Sequence, residues 1–292
     1  MAEILIVSRF IKRMELPSRI EAHQVTAINS PADKADDAVS HALKVGYRHV
    51  DSALLYRNEG PCGAAVKSSG IPRSDIYFTS KIFDSNITYD IAVKQIDQTL
   101  RNSGLEYLDL ILIHSPYGGP AGRKGAWKAL VEAQEAGKVR SIGVSNYGVH
   151  HLDELEAYIK ELEGERGKGK GGVISVGQWE IHPWLPRRDI VEWSVKRGIV
   201  VEAYSPLVRA ERKDEAVLAE LAKKHGKTWG QVLLRWSLQQ GHVPLPKSVT
   251  PSRIEENSQI YDFELDEEDL KKLDLGLYAP CAWDPTVEPL EK

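Results

Sequence analysis

Beyond residue 30 the chain alternates between two hydrophobic rhythms. Short apolar, β-branched runs at 47–51, 76–80, 108–113, 139–144, 174–180, 199–204 and 242–246 read as strands. Between them, apolar residues recur every three to four positions, which predicts helices at 58–68, 89–103, 124–136, 148–163, 187–196, 214–225, 229–240 and 266–274. The first helix is set to open at Ser30-Pro31, with Ser30 as N-cap and Pro31 at the first helical position. Ala35, Val39, Ala42 and Leu43 then fall at i, i+4, i+7 and i+8 on one apolar face, and Gly46 ends it. Strand–helix–strand spacings of this kind imply parallel strands joined by right-handed crossovers. Seven strands are clear and a barrel needs eight. The eighth must precede residue 30, where 24–28 can form it. The expected fold is an α/β, (β/α)8 TIM barrel, one domain over 1–292, with a divergent N-terminal segment and a C-terminal loop at 276–292.

Charge and composition remove several function classes. A net charge of −4 offers no electrostatic reason to expect nucleic acid or an acidic membrane as partner. No apolar run approaches the ~20 residues that cross a bilayer. The unbroken apolar core of the first 13 residues, 4–7, is too short for a secretory signal. Arg9, Lys12 and Arg13 suggest a transit peptide only faintly, against Glu3 and Glu15. Two cysteines, Cys62 and Cys281, make no disulfide framework, so a reducing compartment and the cytoplasm are expected. His150-His151 is an adjacent pair, and no ligand-spaced set predicts a metal.

The candidate chemistry sits at strand ends. Three successive strands close on Asp51, Ser80-Lys81 and His114, and Tyr56 follows Asp51 on the next loop. Alone, a strand-end Asp is as readily a turn former or N-cap, and a lone His there is more often a satisfied core residue. A lysine in such a place is rarer, because burying it unpaired is expensive. Further stretches accompany the set: Ile142-Gly143-Val144-Ser145-Asn146, Gln178-Trp179-Glu180, Ala203-Tyr204-Ser205-Pro206-Leu207, and Pro246-Lys247-Ser248 followed by Arg253 and Glu256-Asn257. In this order and these contexts the chain resembles the aldo-keto reductase family over residues 30–275.

That resemblance implies NADPH-dependent reduction of an aldehyde or ketone. Tyr56 would be the general acid, Lys81 its tuner, Asp51 the partner of Lys81, and His114 the group that orients the carbonyl. A tyrosine with a pKa near ~10 exchanges protons poorly at neutral pH, and a nearby ammonium is expected to lower it by roughly 1–3 units. Lys247, Ser248 and Arg253 gather two cations and a hydroxyl near a helix start, suited to a phosphate dianion. By the resemblance they hold the cofactor's 2′-phosphate, Glu256 and Asn257 contact adenine, and Ser145, Asn146 and Gln178 hold the carboxamide. Tyr204 would stack on the nicotinamide, with Ser205 and Leu207 along the pyrophosphate. Phe83, Tyr117 and Trp283 are candidate substrate-pocket walls. The loops at 115–123 and 205–213 are short, and Ser115 stands where some relatives carry Trp, so an open pocket for small, hydroxylated or sugar-derived carbonyls is expected. A monomer acting on a small molecule fits this picture.

Two stretches fit less well. The family's first strand is glycine-rich and ends in Gly-Thr, bringing bare backbone to the cofactor, whereas residues 16–29 here contain no glycine. Either the first strand is divergent, or a retained intron or wrong first exon has entered the reading of the gene. Weak NADPH binding or poor folding is then expected. Residues 164–172 nearly match a P-loop, but Gly171 replaces the Ser/Thr that would hold magnesium, and a flexible connection on the barrel floor is the better reading. The rival functions are a catalytically impaired, cofactor-sensing or interaction module, and a phosphate-binding barrel hydrolase or lyase. The latter leaves Tyr56 and Lys81 unexplained.

Overall fold

The computed structural model describes the backbone of Val25–Ala27 and residues 32–292 in full. Its strands are β1 (Val25–Ala27), β2 (His49–Asp51), β3 (Tyr77–Ile82), β4 (Leu108–Ile113), β5 (Val139–Ser145), β6 (Val176–Glu180), β7 (Val200–Tyr204) and β8 (Val243–Leu245). All pair in parallel in chain order, and β8 lies against β1, giving a (β/α)8 barrel. The helices are α1 (Ala32–Val45), α2 (Glu59–Ser68), α3 (Tyr89–Ser103), α4 (Gly119–Glu135), α5 (Val149–Arg166) and α6 (Arg188–Lys196). They continue with α7 (Ala216–His225), α8 (Trp229–Gln239), α9 (Pro251–Ser258) and α10 (Glu267–Lys272).

The first strand lies where the pattern left room for it. Val25, Thr26 and Ala27 stand opposite His49, Val50 and Asp51, so a strand without glycine still pairs in register with β2. The expected Ser30-Pro31 helix start and residues 1–24 lie outside the described residues.

Strand periodicity divides the core in two. In β4, Ile111 and Ile113 join the large cluster between strands and helices, whereas Leu110 and Leu112 join Tyr77, Val176 and Val200 in a smaller cluster on the strands' other face. Continuing that inner parity towards the strand C-termini replaces apolar residues with polar ones: His49 and Asp51, Thr79 and Lys81, His114, Gln178 and Glu180, Glu202 and Tyr204. Lys81 and Glu202 are wholly buried, and Asp51 nearly so. Apolar inner positions thus floor the barrel, and buried polar groups fill its C-terminal end, where (β/α)8 enzymes place their chemistry.

Helix α4 begins five residues before its expected start at 124. Four glycines and Pro120 in 118–125 look like loop in the sequence, but they are there for close packing. A Cβ at Gly122 would stand 2.4 Å from the Ile87 carbonyl, and one at Gly125 2.8 Å from the Tyr89 amide. Residues 164–172 are partly helical and carry defined hydrogen bonds. Helix α5 runs on to Arg166, whose guanidinium donates to the Lys170 carbonyl, and the Trp127 indole donates to the Gly171 carbonyl at 2.8 Å. Helix α9, after the last strand, is seated by the buried Tyr47 hydroxyl, which donates to the Ile254 carbonyl at 3.0 Å.

Candidate active site

Asp51 and Lys81 end up adjacent because each is the last inward residue of its strand. Lys81 Nζ donates to Asp51 Oδ1 at 2.5 Å and to the Ser52 carbonyl at 2.9 Å. Burial works against the charge on Lys81, but Asp51, Tyr56 and Glu202 together outweigh it and raise its pKa. A buried ammonium stays charged here because it is paired. Tyr56 closes a single 3-10 turn (Leu54–Tyr56) that stops at Arg57 in the left-handed region (φ 54°). The turn sets the phenol ring 5.1 Å from Lys81 Nζ and edge-on to the His114 imidazole, with centroids 5.6 Å apart.

The tuning of Tyr56 departs from expectation. Lys81 does pull its pKa down by charge and hydrogen bonding, but burial is the larger effect, the Asp51 carboxylate adds to it, and the phenol ends above its ordinary value. It is fully protonated at neutral pH, a donor in the resting protein rather than a partly ionised one. His114 is shifted well below the usual range by burial and by Lys81, so its ring is neutral, and Nδ1 is buried without a partner.

The residues expected around a carboxamide form one hydrogen-bonded ledge. Asn146, in the left-handed region (φ 63°), donates to the His114 carbonyl at 2.9 Å and accepts from the Tyr204 hydroxyl at 2.8 Å. Ser145 donates to the Gln178 carbonyl at 2.9 Å. Gln178 Nε2 donates twice, to Asp51 Oδ2 and to Glu202 Oε2, each at 2.8 Å. Beyond Tyr204, Ser205, Val208, Arg209 and Ala210 all have φ between 49° and 64°, and Leu207 sits half-buried between them. Left-handed geometry is unfavourable for a β-branched valine, so this short loop is strained.

Lys247 and Ser248 precede α9, and Arg253 lies in its first turn. Lys247 and Arg253 are exposed, and among the described residues neither has an ion-pair partner. Glu256, further along α9, accepts from the Thr228 hydroxyl at 2.8 Å, and Asn257 is buried.

Phe83, Tyr117 and Trp283 come together over His114. Trp283 lies 5.7 Å from Phe83, 5.9 Å from Tyr117 and 6.0 Å from His114 between ring centroids, and Phe83 lies 5.9 Å from His114. Trp283 belongs to the C-terminal segment, which sequence reasoning left as a plain loop. Buried charges hold that segment down. Arg187 donates to Thr286 Oγ1 at 2.7 Å, to Asp284 Oδ1 at 2.8 Å and to the Tyr278 hydroxyl at 2.9 Å. Glu180 accepts from the amides of Cys281 and Ala282 at 2.6 and 3.0 Å and pairs with His182 Nε2 at 2.8 Å. Arg123 donates to the Leu290 carbonyl at 2.6 Å. Glu180 was legible in principle, because it shares the inward parity of Val176 and Gln178. Arg187 and Arg123 lie in loop and helix and carried no such signal. Glu180, His182 and Cys281 offer ligand atoms within 4.8 Å of one another, a grouping invisible in sequence spacing. Glu180 is committed to N–H donors there, and burial followed by that carboxylate pushes the Cys281 thiol up to about 12.

Comparison with known proteins agrees with this geometry. Residues 23–275 match the model of the Aldo/keto reductase family. The chain is 40% identical over 244 residues to the glyoxal reductase of Bacillus subtilis, covering 83% of each chain. It is 38% identical over 241 residues to the 9,11-endoperoxide prostaglandin H2 reductase of Trypanosoma cruzi, covering 82% of this chain and 81% of that one. Among solved structures, the aldo-keto reductase MGS-M4 from a Medee basin deep-sea metagenome superposes with a TM-score of 0.78 at 36% identity, over 87% of this chain and 90% of its own. Among the described residues no helix is long and apolar enough to cross a membrane. With fold, strand-end residues and relatives in agreement, the chain belongs to the aldo/keto reductase family.

Proposed function

We propose that the protein reduces small aldehydes or ketones to alcohols with NADPH, Tyr56 supplying the proton. The observation that carries this reading is the Tyr56 phenol beside a buried Lys81–Asp51 pair and the His114 imidazole, under one aromatic wall. The side chains also fit the cofactor. Lys247 and Arg253, without ion-pair partners among the described residues, suit a phosphate dianion together with Ser248 at the start of α9, and the amides of Asn146 and Gln178 suit a carboxamide. When bound, NADPH supplies the hydride.

The chain's own residues do the rest. His114, neutral, orients the carbonyl oxygen by donating a hydrogen bond. As negative charge grows on that oxygen, Tyr56 transfers its proton, and the Lys81 ammonium stabilises the phenolate left behind. Asp51 keeps Lys81 charged throughout. Tyr204 would stack on the nicotinamide, Ser145 would join Asn146 and Gln178 at the carboxamide, and Ser205 and Leu207 would lie along the pyrophosphate. Glu256 and Asn257 would contact adenine, Glu256 through the oxygen that Thr228 leaves free. Phe83, Tyr117 and Trp283 form the substrate wall. A small dicarbonyl such as glyoxal, the compound named for the Bacillus relative, is the first substrate to try. We place the protein in the cytoplasm as a one-domain monomer.

Tyr56→Phe tests the assignment. NADPH oxidation with a reactive aldehyde should fall about 10²–10⁴-fold in kcat while NADPH binding holds. A variant keeping more than about a tenth of wild-type kcat would show that the proton comes from elsewhere.

A further inference from the structure

Glu202 is the inward residue of β7, wholly buried one layer below the barrel mouth, and it touches neither the aromatic wall nor Tyr56 in any hydrogen bond. Its Oε2 accepts from Gln178 Nε2 at 2.8 Å, the same nitrogen that donates to Asp51 Oδ2 at 2.8 Å. Asp51 Oδ1 accepts from the Lys81 ammonium, so the atom facing its other oxygen must be the N–H side of the amide. Both protons of Nε2 are therefore used, one on each carboxyl group. The amide plane is then fixed, and among the described residues no side chain or amide donates to Oε1. A primary amide with both protons engaged below can act above only as an acceptor.

We propose that Glu202 is a positioning residue for the cofactor: with Asp51 it locks the Gln178 amide so that Oε1 faces the barrel mouth as an acceptor for the carboxamide N–H of a nicotinamide. This rests on the NADPH reading above. The environment is built for the role. Glu202 is faced by His49 from β2, with Nε2 4.0 Å from Oε1, by Asp51 and Lys81, and by Tyr77 from β3. Oε1 itself is buried without a partner, so Glu202 retains its proton there and keeps Oε2 free to accept. Without this second acceptor one Gln178 proton is orphaned in the interior, and the amide must turn to satisfy it.

The test uses binding titrations of the full chain with NADPH, with the reduced 3-acetylpyridine analogue, which lacks the carboxamide N–H, and with 2′,5′-ADP, which lacks the nicotinamide. Wild type should prefer NADPH to the analogue by about five-fold, the worth of one net hydrogen bond. Glu202→Met, similar in length but with no acceptor, should abolish that preference and leave 2′,5′-ADP binding unchanged. Glu202→Gln, whose amide oxygen can still accept from Gln178, should keep it. Should Glu202→Met fail to bind 2′,5′-ADP, Glu202→Leu takes its place in the comparison. A wild type that binds NADPH and the analogue equally, or a Met variant that retains the preference, overturns the proposal while leaving the NADPH reading standing. A wild type that binds neither NADPH nor 2′,5′-ADP removes both.

Discussion

Asp51, Lys81, Gln178 and Glu202 form one buried hydrogen-bond chain, in which Lys81 and Glu202 both shift upward, to opposite effect on their charge. Lys81 is held charged by its partners, whereas burial, followed by the Asp51 charge, raises Glu202 from 4.5 to about 8. The stability consequence has a definite sign. Between about 4.5 and 8 the unfolded chain has lost the Glu202 proton and the folded chain keeps it, so rising pH favours unfolding through that window. The cost approaches a few kcal/mol by pH 8, since one unit is about 1.4 kcal/mol. Glu202→Gln should remove this slope, and the variant's melting temperature should gain on wild type from pH 5 to 8 and level off above. A constant difference across that range would mean that Glu202 is already ionised in the folded protein. Which residues gather at the mouth was legible, because strand-end positions of one parity must converge in a barrel. The direction of the Tyr56 shift was not. A sequence places Lys81 nearby but does not say how much protein surrounds the phenol, and burial decides the outcome.

Elements carry the next layer. Helix α9 presents Arg253 in its first turn, without an ion-pair partner among the described residues, on a helix seated by Tyr47. Arg253→Ala should weaken NADPH binding about ten-fold, the low end for a hydrogen bond to a charged group given its exposure, with little change for NADH. Equal losses for both cofactors would assign Arg253 to the fold. The C-terminal segment is a different case, because its anchor is buried. Breaking the Arg187–Asp284 pair leaves an uncompensated charge, a change that costs about 3–5 kcal/mol when such pairs lie inside a protein. Part of that loss should appear locally as release of the segment carrying Trp283. Arg187→Met should hasten proteolysis within 276–292 and raise KM for aromatic aldehydes more than it lowers kcat. Unchanged proteolysis would show that Glu180 and Arg123 suffice to hold the segment. Sequence reasoning found Trp283 but not its anchors. The contacts of Arg187 and Arg123 with the segment span 97 and 167 residues, and no local pattern encodes such pairs. The α4 start was missed for a related reason: glycines chosen for close approach to Ile87 and Tyr89 look locally like a loop.

At the scale of the whole barrel, seven strands followed from hydrophobic rhythm and the eighth from counting. The eighth is also where the chain lacks the glycines that the family resemblance leads one to expect. Val25–Ala27 pairs in register with β2, so closure of the sheet does not depend on the glycines that the family uses there. The absence of glycine from 16–29 has a second expected consequence: if the cofactor comes as close to this backbone as the resemblance implies, any residue other than glycine brings a Cβ into that approach. The two effects are separable. Replacing residues 1–29 with a family-like start ending in Gly-Thr should tighten NADPH binding several-fold, since glycine adds no Cβ to a close backbone approach. The melting temperature should rise less than the affinity, since the strand pairing already exists. The comparison is NADPH Kd and thermal midpoint for the two proteins side by side. Equal affinity would mean that the first strand as written leaves the nicotinamide enough room. A large rise in melting temperature without tighter binding would place the defect in closure of the barrel instead.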